Sequence, residues 1–187
     1  MIWRRRFLVK GINLSVETLP PLYVTGKKSH LVVGYSPKPI IWGNSMAPFA
    51  STRVRLTVPY YDVDLMQVVW NGNYLKYFEV ARQALFRECG LDLRRYLEDK
   101  RYVFPVIRSA IKHIHPLRLD DEFICTAVLK EARVKIVLDF EIKLISNGKV
   151  CAKGRSEQVA VLVPEMEMAF KIPEEIQKAL YGNEQLK

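Results

Sequence analysis

The sequence has few of the residues that build disulfide frameworks and metal centres. Its 187 residues include only three cysteines and three histidines. Because the number of cysteines is odd and no Cys-x-x-Cys pair occurs, neither a disulfide framework nor a zinc knuckle is expected, and a reducing, cytoplasmic location is favoured. His113 and His115 share one face of a predicted strand, but no third ligand stands at metal-binding spacing. We therefore expect neither a metal nor a cofactor, and interpret both histidines as solvated or hydrogen-bonded strand residues.

Long apolar runs are also lacking, and acidic residues are scarce near the start of the chain. No apolar run reaches the roughly 18–20 residues that span a bilayer, so no integral membrane segment is expected. The net charge is +9, yet residues 1–50 carry seven lysines and arginines against one acidic residue, Glu17. Most of the excess positive charge therefore lies in residues 1–50 and not in the rest of the chain. This argues against nucleic-acid binding by the main domain.

Residues 1–50 lack a regular hydrophobic period and are interrupted by proline and glycine, which predicts a basic N-terminal extension. Their arginine cluster and neighbouring aromatic residues leave open a transit peptide or a segment at an anionic membrane surface. The alternatives are a loosely packed extension or a start of translation at Met46. We expect the main domain over residues 51–172, followed by a short C-terminal helix and tail over residues 173–187.

The hydrophobic pattern becomes regular after the extension. Apolar and polar residues alternate over residues 52–60, which predicts a half-buried strand. Helical spacing over residues 71–89 predicts a long helix, capped by Asn71 or Asn73 and ended by Gly90. A short helix and then four strands are predicted at residues 93–99, 103–115, 122–130, 134–145 and 150–163.

Short connections join the last four strands, which implies antiparallel pairing. The dipeptide Asn147-Gly148, between the last two of them, is a strong signal for a two-residue hairpin turn. One long, mostly apolar helix must therefore lie on one face of a sheet of about five strands. The sequence predicts an α+β fold in which an antiparallel sheet wraps round a single central helix.

The segment YYDVDLMQVVWNGNY, residues 60–74, places two carboxylates just before the predicted helix. A helix N-terminus presents unpaired N–H groups and the positive end of the helix dipole, which stabilise a developing oxyanion. A carboxylate facing it, Asp64, could attack a bound carbonyl or activate a water, with Tyr60 orienting the acid. On residue types alone a turn or a cap is the plainer interpretation of either acid, and Asp62 is interpreted as structural.

The stretch YYDVDLMQVVWNGNYLKYFEVARQALFRECGL, residues 60–91, resembles the hotdog-fold acyl-CoA thioesterases of the 4-hydroxybenzoyl-CoA thioesterase family, in particular the YbgC-like branch. The number of matching positions within this one window makes the resemblance far more specific than a short motif would be. Two positions depart from the family pattern: Gln67 stands in place of glycine, and Asn71 in place of histidine or tyrosine. The matching positions, including a downstream P-x-R-x-x-D motif, are Tyr60, Asp62, Asp64, Val68, Val69, Trp70, Asn73, Tyr74, Phe78, Glu79, Ala81, Arg82, Pro116, Arg118 and Asp121.

The resemblance implies a hotdog fold, assembly into homodimers or homotetramers with active sites at the dimer interface, and hydrolysis of the thioester of an acyl-CoA or an acyl carrier protein. Carried over by position, Asp64 is the catalytic nucleophile or general base, and the backbone N–H of Asn71 polarises the thioester carbonyl. Tyr60 matches a tyrosine implicated in the YbgC-like branch. Substrate-binding residues are then expected among Val69, Trp70, Gly72, Tyr74 and Glu79.

Two sets of charged residues have a structural interpretation as well as a functional one. Glu79 matches the helix position of the catalytic acid in a related hotdog branch, but an ion pair, for example with Arg82, is the preferred interpretation. Cations for the phosphates of coenzyme A are needed, and a solvated strand face is the alternative for each candidate. The candidates are Arg118, Arg133, Lys135, Lys153 and Arg155.

Two other functions remain open on the sequence. A hotdog module that binds an acyl thioester without turnover is the main alternative, because Asn71 replaces a side chain that can act as an acid or base. A dehydratase of acyl thioesters ranks last. That branch relies on a histidine with an acid, and no histidine lies near the predicted helix start in the sequence.

Overall fold

The computed structural model describes residues 50–182. The predicted N-terminal extension lies outside this range apart from Ala50, and so do residues 183–187. Within the described residues the elements in chain order are β1 Ser51–Thr57, a 3-10 turn Tyr60–Asp62, α1 Asn73–Glu88, α2 Leu93–Lys100, β2 Tyr102–Val103, β3 Val106–His113, β4 Glu122–Glu131, β5 Ile136–Leu144, β6 Val150–Gln158, β7 Val161–Leu162, β8 Glu167–Met168 and α3 Glu174–Tyr181.

The main sheet has five antiparallel strands in the order β1-β4-β5-β6-β3, and a small second sheet has the order β2-β7-β8. Along β4 and β5 every second side chain is buried, which is the period-two pattern that the sequence predicts. The hydrophobic core lies between this inner face and α1. The predicted α+β arrangement of one long helix on an antiparallel sheet is therefore confirmed.

Helix α1 comes close to the sheet because a strand residue opposite it has no side chain. The Phe78 ring stacks on Phe140 of β5, with centroids 4.6 Å apart. A Cβ atom built on Gly154 of β6 would lie 2.2 Å from the Phe78 ring, so a larger residue there would push the helix off the sheet. Ala81 and Leu85, further along α1, are fully buried in the same core.

The C-terminal end of α1 agrees with the prediction, but the N-terminal end does not. The helix begins at Asn73, with Gly72 as N-cap and no side-chain capping bond, so capping by either asparagine is wrong. The physical reason is that the Asn73 amide instead donates to the carbonyl oxygen of Asp62, at 2.9 Å. At the C-terminus, Gly90 follows the C-cap with a left-handed φ of 72°, as predicted.

Two predicted strand features need correction. The first strand stops at Thr57, because Pro59 has no N–H to donate to the ladder, and Tyr60 lies in the 3-10 turn instead. The β5–β6 hairpin exists, but its loop has four residues: Leu144 N–H bonds to the Lys149 carbonyl at 2.9 Å. Gly148 ends that loop in the left-handed conformation, with φ of 70°.

The C-terminal helix α3 starts after Pro173, as the sequence predicts. Its residues Ile176 and Leu180 are buried in the core that α1 and the sheet form. The side-chain amide of Gln177 donates to the Ile172 carbonyl at 2.6 Å, which fixes the start of the helix. Across residues 50–182, no helix has both the length and the apolar character needed to cross a bilayer.

Candidate active site

A tight hairpin turn carries Asp64 towards the start of α1. The Asp64 N–H donates to the Val68 carbonyl at 2.9 Å, and the Gln67 N–H donates back to the Asp64 carbonyl at 3.0 Å. Gln67 adopts a left-handed φ of 60°, a conformation that glycine tolerates best. The structure thereby explains why glycine suits this position in the family pattern, and Gln67 itself is exposed and does not line the pocket described below.

The Asp64 carboxylate is only half engaged. Its Oδ1 atom accepts the Met66 N–H at 2.8 Å, which holds the side chain in place across the turn. Its Oδ2 atom has neither a hydrogen-bond donor nor a cation as partner among residues 50–182. The side chain is partly buried, and the turn fixes only one of its two oxygens.

A pocket of about 460 Å³ lies beside this carboxylate. Side chains of the segment 64–71 form one wall, Tyr74 of α1 contributes to it, and residues 113–116, at the end of β3, form the other wall. Eight residues are predicted from the sequence for catalysis or substrate binding, and the pocket brings together five of them: Asp64, Val69, Trp70, Asn71 and Tyr74.

The backbone at the start of α1 offers free donors next to the pocket. Asn73 N–H donates to the Trp70 carbonyl at 2.9 Å. In contrast, the N–H groups of Asn71 and Gly72 have no acceptor within the described part of the chain. A Cβ atom on Gly72 would lie 2.0 Å from the Trp70 ring, so this glycine lets the indole fold over the backbone beside the pocket.

Asp62, two residues before Asp64, has a different environment. It is almost completely buried, with 2% of its surface exposed. Its carboxylate forms an ion pair with Lys76 and accepts the Tyr77 hydroxyl at 2.8 Å. Its carbonyl oxygen accepts both the Trp70 N–H and the Asn73 side-chain amide, each at 2.9 Å. Asp62 therefore ties the 3-10 turn to the first turns of α1.

The opposite wall is held by hydrogen bonds to the same segment. Val69 N–H donates to the Leu117 carbonyl at 2.8 Å, and Leu117 N–H donates to the Tyr74 hydroxyl oxygen at 3.2 Å. Burial raises the pKa of Tyr74, so its hydroxyl keeps its proton at neutral pH. These bonds bring the end of β3 against the pre-helix segment, although the two are about forty residues apart in the sequence.

Sequence reasoning missed the two histidines of this wall. His113 and His115 both line the pocket, and the His113 ring contacts Tyr74 edge-on at 4.7 Å. The premise that no histidine lies near the helix start holds for the sequence but is wrong for the folded structure. The available signal was their position just before Pro116, which begins the downstream family motif. Among residues 50–182, no group of three metal-ligating side chains comes together here or elsewhere.

Other predicted residues lie outside the pocket lining. The Tyr60 side chain is 79% exposed on the 3-10 turn. Glu79 accepts the Arg82 Nε–H at 2.8 Å, which matches the ion-pair interpretation. Burial acts to raise the pKa of Glu79, but the hydrogen bonds and charge of Arg82 outweigh it and hold that pKa below its usual value. Arg82 also donates to Gln158 of β6 at 2.9 Å, so the pair joins helix to sheet.

The candidate phosphate-binding cations divide into two groups. Three are already paired with carboxylates: Arg155 with Asp139 at 2.6 Å, Lys153 with Glu141 at 3.4 Å, and Lys135 with Glu157. Two, Arg118 and Arg133, have exposed side chains without a carboxylate partner in the described residues. Of these, Arg118 follows the pocket wall at Pro116 by two residues.

Comparison with known proteins identifies the family of this chain. Residues 58–180 match the family described as the Thioesterase-like superfamily. The acyl-CoA thioesterase YbgC of Haemophilus influenzae is 29% identical over 125 residues, which cover 66% of this chain and 90% of that protein. A 1,4-dihydroxy-2-naphthoyl-CoA hydrolase of Rippkaea orientalis is 26% identical over 109 residues, which cover 56% of this chain and 78% of that protein.

Solved structures show the same fold. A 1,4-dihydroxy-2-naphthoyl-CoA thioesterase from Synechocystis superposes with a TM-score of 0.65 at 19% identity, covering 70% of this chain and 95% of that one. The 4-hydroxybenzoyl-CoA thioesterase from Pseudomonas sp. strain CBS-3 gives a TM-score of 0.63 at 17% identity, covering 70% and 99%. At these identities the likeness concerns the fold, and it confirms the predicted hotdog architecture.

Proposed function

This chain belongs to the Thioesterase-like superfamily, and on that premise we propose that it hydrolyses the thioester of an acyl-CoA or an acyl carrier protein to a free acid and a thiol. The relatives named as acyl-CoA thioesterase and 1,4-dihydroxy-2-naphthoyl-CoA hydrolase support the reaction class. One observation carries the assignment of residues. A carboxylate with a free oxygen, Asp64, shares a pocket with Asn71, whose backbone N–H is free just before the start of a helix.

The proposed reaction uses these two groups in complementary roles. A thioester carbonyl oxygen accepts hydrogen bonds from the N–H groups of Asn71 and Gly72, which stabilise the negative charge that develops on it. Asp64 acts on the carbonyl carbon, either directly as nucleophile or by taking a proton from an attacking water. Val69 and Trp70 line the pocket and limit the access of bulk water to the acyl group.

The sheet edge supports a homodimer as the active form. Strand β3 pairs with β6 on one side only, so its other backbone edge is open in the described chain. Its side chains are almost all exposed, including Ile107 at 57%. Because β3 also leads into the pocket wall at residues 113–116, pairing of two β3 edges would bring a second chain close to each pocket. Light scattering of the purified protein at low concentration tests this assembly.

One observation favours binding without turnover as a second function. Asn71 offers the site an exposed amide, which cannot act as an acid or base at neutral pH. Tight binding of an acyl-CoA without thiol release would favour this alternative. Release of water from a hydroxyacyl thioester, without thiol release, would instead favour the dehydratase.

A thiol-release screen tests the proposed function. Wild-type protein is incubated with short-chain, long-chain and aromatic acyl-CoA substrates, and the free thiol is followed by a colorimetric thiol reagent. We expect turnover of at least one class, and we expect Asp64→Ala to lower kcat by about 10³-fold. Glu98→Ala, on the exposed face of α2, is the matched control and should leave the rate unchanged. Full activity of the folded Asp64→Ala variant would overturn the assignment.

A further inference from the structure

Two imidazoles that the proposed mechanism does not use line the same pocket as Asp64. His113 and His115 line the wall formed by the end of β3. Neither imidazole has a hydrogen-bond partner or a carboxylate within ion-pair distance among residues 50–182. An imidazole with free nitrogens beside a candidate reaction site is able to donate or accept a proton during the reaction.

The backbone that carries these imidazoles is fixed from two sides. The N–H groups of Ile114 and His115 both donate to the Cys151 carbonyl of β6, at 2.8 and 3.1 Å. Two residues further on, the bonds of Leu117 to Val69 and Tyr74 tie the same stretch to the pre-helix segment. The wall therefore has a defined position relative to Asp64 without any contribution from a ligand.

His113 has the better-defined side chain of the two. It lies on the inner face of β3, where its ring meets Tyr74 edge-on at an interplanar angle of 83°. Tyr74 is itself buried and held by Leu117, so it offers the imidazole a rigid support. The ring meets Tyr74 in an edge contact, and the residue is exposed and lines the pocket.

We propose that His113 donates the proton that the departing sulfur takes up when the thioester bond breaks, an inference that rests on the proposed thioesterase function. Asp64 and Asn71 line the pocket from the segment before α1, whereas His113 lines it from the end of β3. A carbonyl held at the helix start with Asp64 on its carbon leaves the sulfur substituent to extend towards the opposite wall. A general acid belongs on that side of the reacting centre.

The proton balance closes without a further reactant. Water forms the new carbon–oxygen bond and loses one proton to Asp64. The carbon–sulfur bond breaks with its electron pair on sulfur, and the imidazolium proton of His113 passes to that sulfur to give a neutral thiol. Transfer of one proton from Asp64 to His113 through solvent restores both groups. One water and one thioester thus yield one carboxylic acid and one thiol.

The test compares leaving groups. The thiol of coenzyme A is a weak acid and benefits from protonation as it leaves, whereas 4-nitrothiophenol leaves as a stable anion. His113→Gln removes the acid, and His113→Phe keeps the aromatic contact with Tyr74 but carries no proton. We expect both variants to lose about 10²-fold or more in single-turnover rate with the acyl-CoA that wild type cleaves best. With the 4-nitrothiophenyl ester of the same acyl group, they should stay within about threefold of wild type.

Lys112→Gln provides the matched control, because Lys112 precedes His113 on β3 and is exposed outside the pocket. It should match wild type on both esters.

Equal losses for both esters in the His113 variants would overturn the acid role, and so would a leaving-group-dependent loss in His115→Gln instead. If wild type cleaves acyl-CoA and Asp64→Ala does not, while the His113 variants cleave normally, only this inference fails. If wild type releases no thiol from any substrate, the proposed function falls and this inference falls with it.

Discussion

Two carboxylates of the same residue type stand two positions apart and have opposite environments. Asp62 is buried, and both its carboxylate and its carbonyl oxygen are taken up by α1 and the segment before it. Asp64 is partly exposed, and only one of its oxygens is used, by the turn that carries it. A fully satisfied buried acid stabilises the fold, whereas an acid with a free oxygen beside a pocket is available for chemistry.

The largest effect on stability is expected from removing the buried acid. Asp62→Ala leaves the Tyr77 hydroxyl without its acceptor and breaks the ion pair with Lys76. We expect it to lower the free energy of unfolding by about 2–4 kcal/mol. Asp64→Ala, which removes only an exposed turn bond, should cost less than about 1 kcal/mol. Urea titrations of both variants measure these values, and equal losses would remove the distinction between the two acids.

A smaller effect is expected from Tyr77→Phe, which removes one partner of Asp62 and costs about 1–2 kcal/mol at neutral pH. This cost should depend on pH. Burial, and then the hydrogen bond to Asp62, raise the pKa of Tyr77 far above its usual value. The unfolded chain releases this proton near pH 10, roughly the usual tyrosine value, while the folded chain keeps it. Wild-type stability therefore falls above that pH by up to about 1.4 kcal/mol per pH unit from this group.

The Phe variant lacks this proton, so its stability deficit relative to wild type should shrink between about pH 9 and pH 11. Chemical denaturation of both proteins across this range measures the difference. Tyr74, whose pKa is also raised by burial, is present in both proteins and cancels. A deficit that stays constant with pH would show that the Tyr77 proton is not linked to folding in this way.

The smallest effect concerns the turn that carries Asp64. Gln67 holds a left-handed φ of 60°, which strains any residue with a Cβ atom. Gln67→Gly should therefore raise the free energy of unfolding by about 0.5–1 kcal/mol. The same substitution within α1, Gln83→Gly, should lower it by about 1 kcal/mol. Thermal unfolding of the two variants distinguishes them, and a loss of stability in both would mean that the turn is not strained at Gln67.

The sequence predicts the fold well because each element has a strong local pattern. The alternation along β4 and β5 and the helical spacing in α1 are local, and the family match covers them. Turn details are less predictable, because they depend on partners elsewhere: the Asn73 amide bonds to Asp62 rather than capping its own helix. A four-residue loop likewise replaces the two-residue turn expected at Asn147-Gly148.

The candidate site could be predicted only on the side that is continuous in sequence. Asp64, Trp70 and Asn71 lie within one segment, and all three line the pocket. His113 and His115 reach the same pocket through long-range hydrogen bonds of Leu117, which no local pattern encodes. Tyr60 is the opposite case. It is close to Asp64 in the sequence, but its exposed side chain does not line the pocket.

The most direct test of the account is the rate of thiol release per folded molecule for Asp64→Asn and Asp62→Asn on one acyl-CoA substrate. The folded fraction of each preparation comes from its own denaturation curve. We expect Asp64→Asn to fall by about 10³-fold or more while it unfolds like wild type, and Asp62→Asn to keep its rate within about tenfold while it is less stable. A folded Asp64→Asn protein that releases thiol at the wild-type rate would contradict the account.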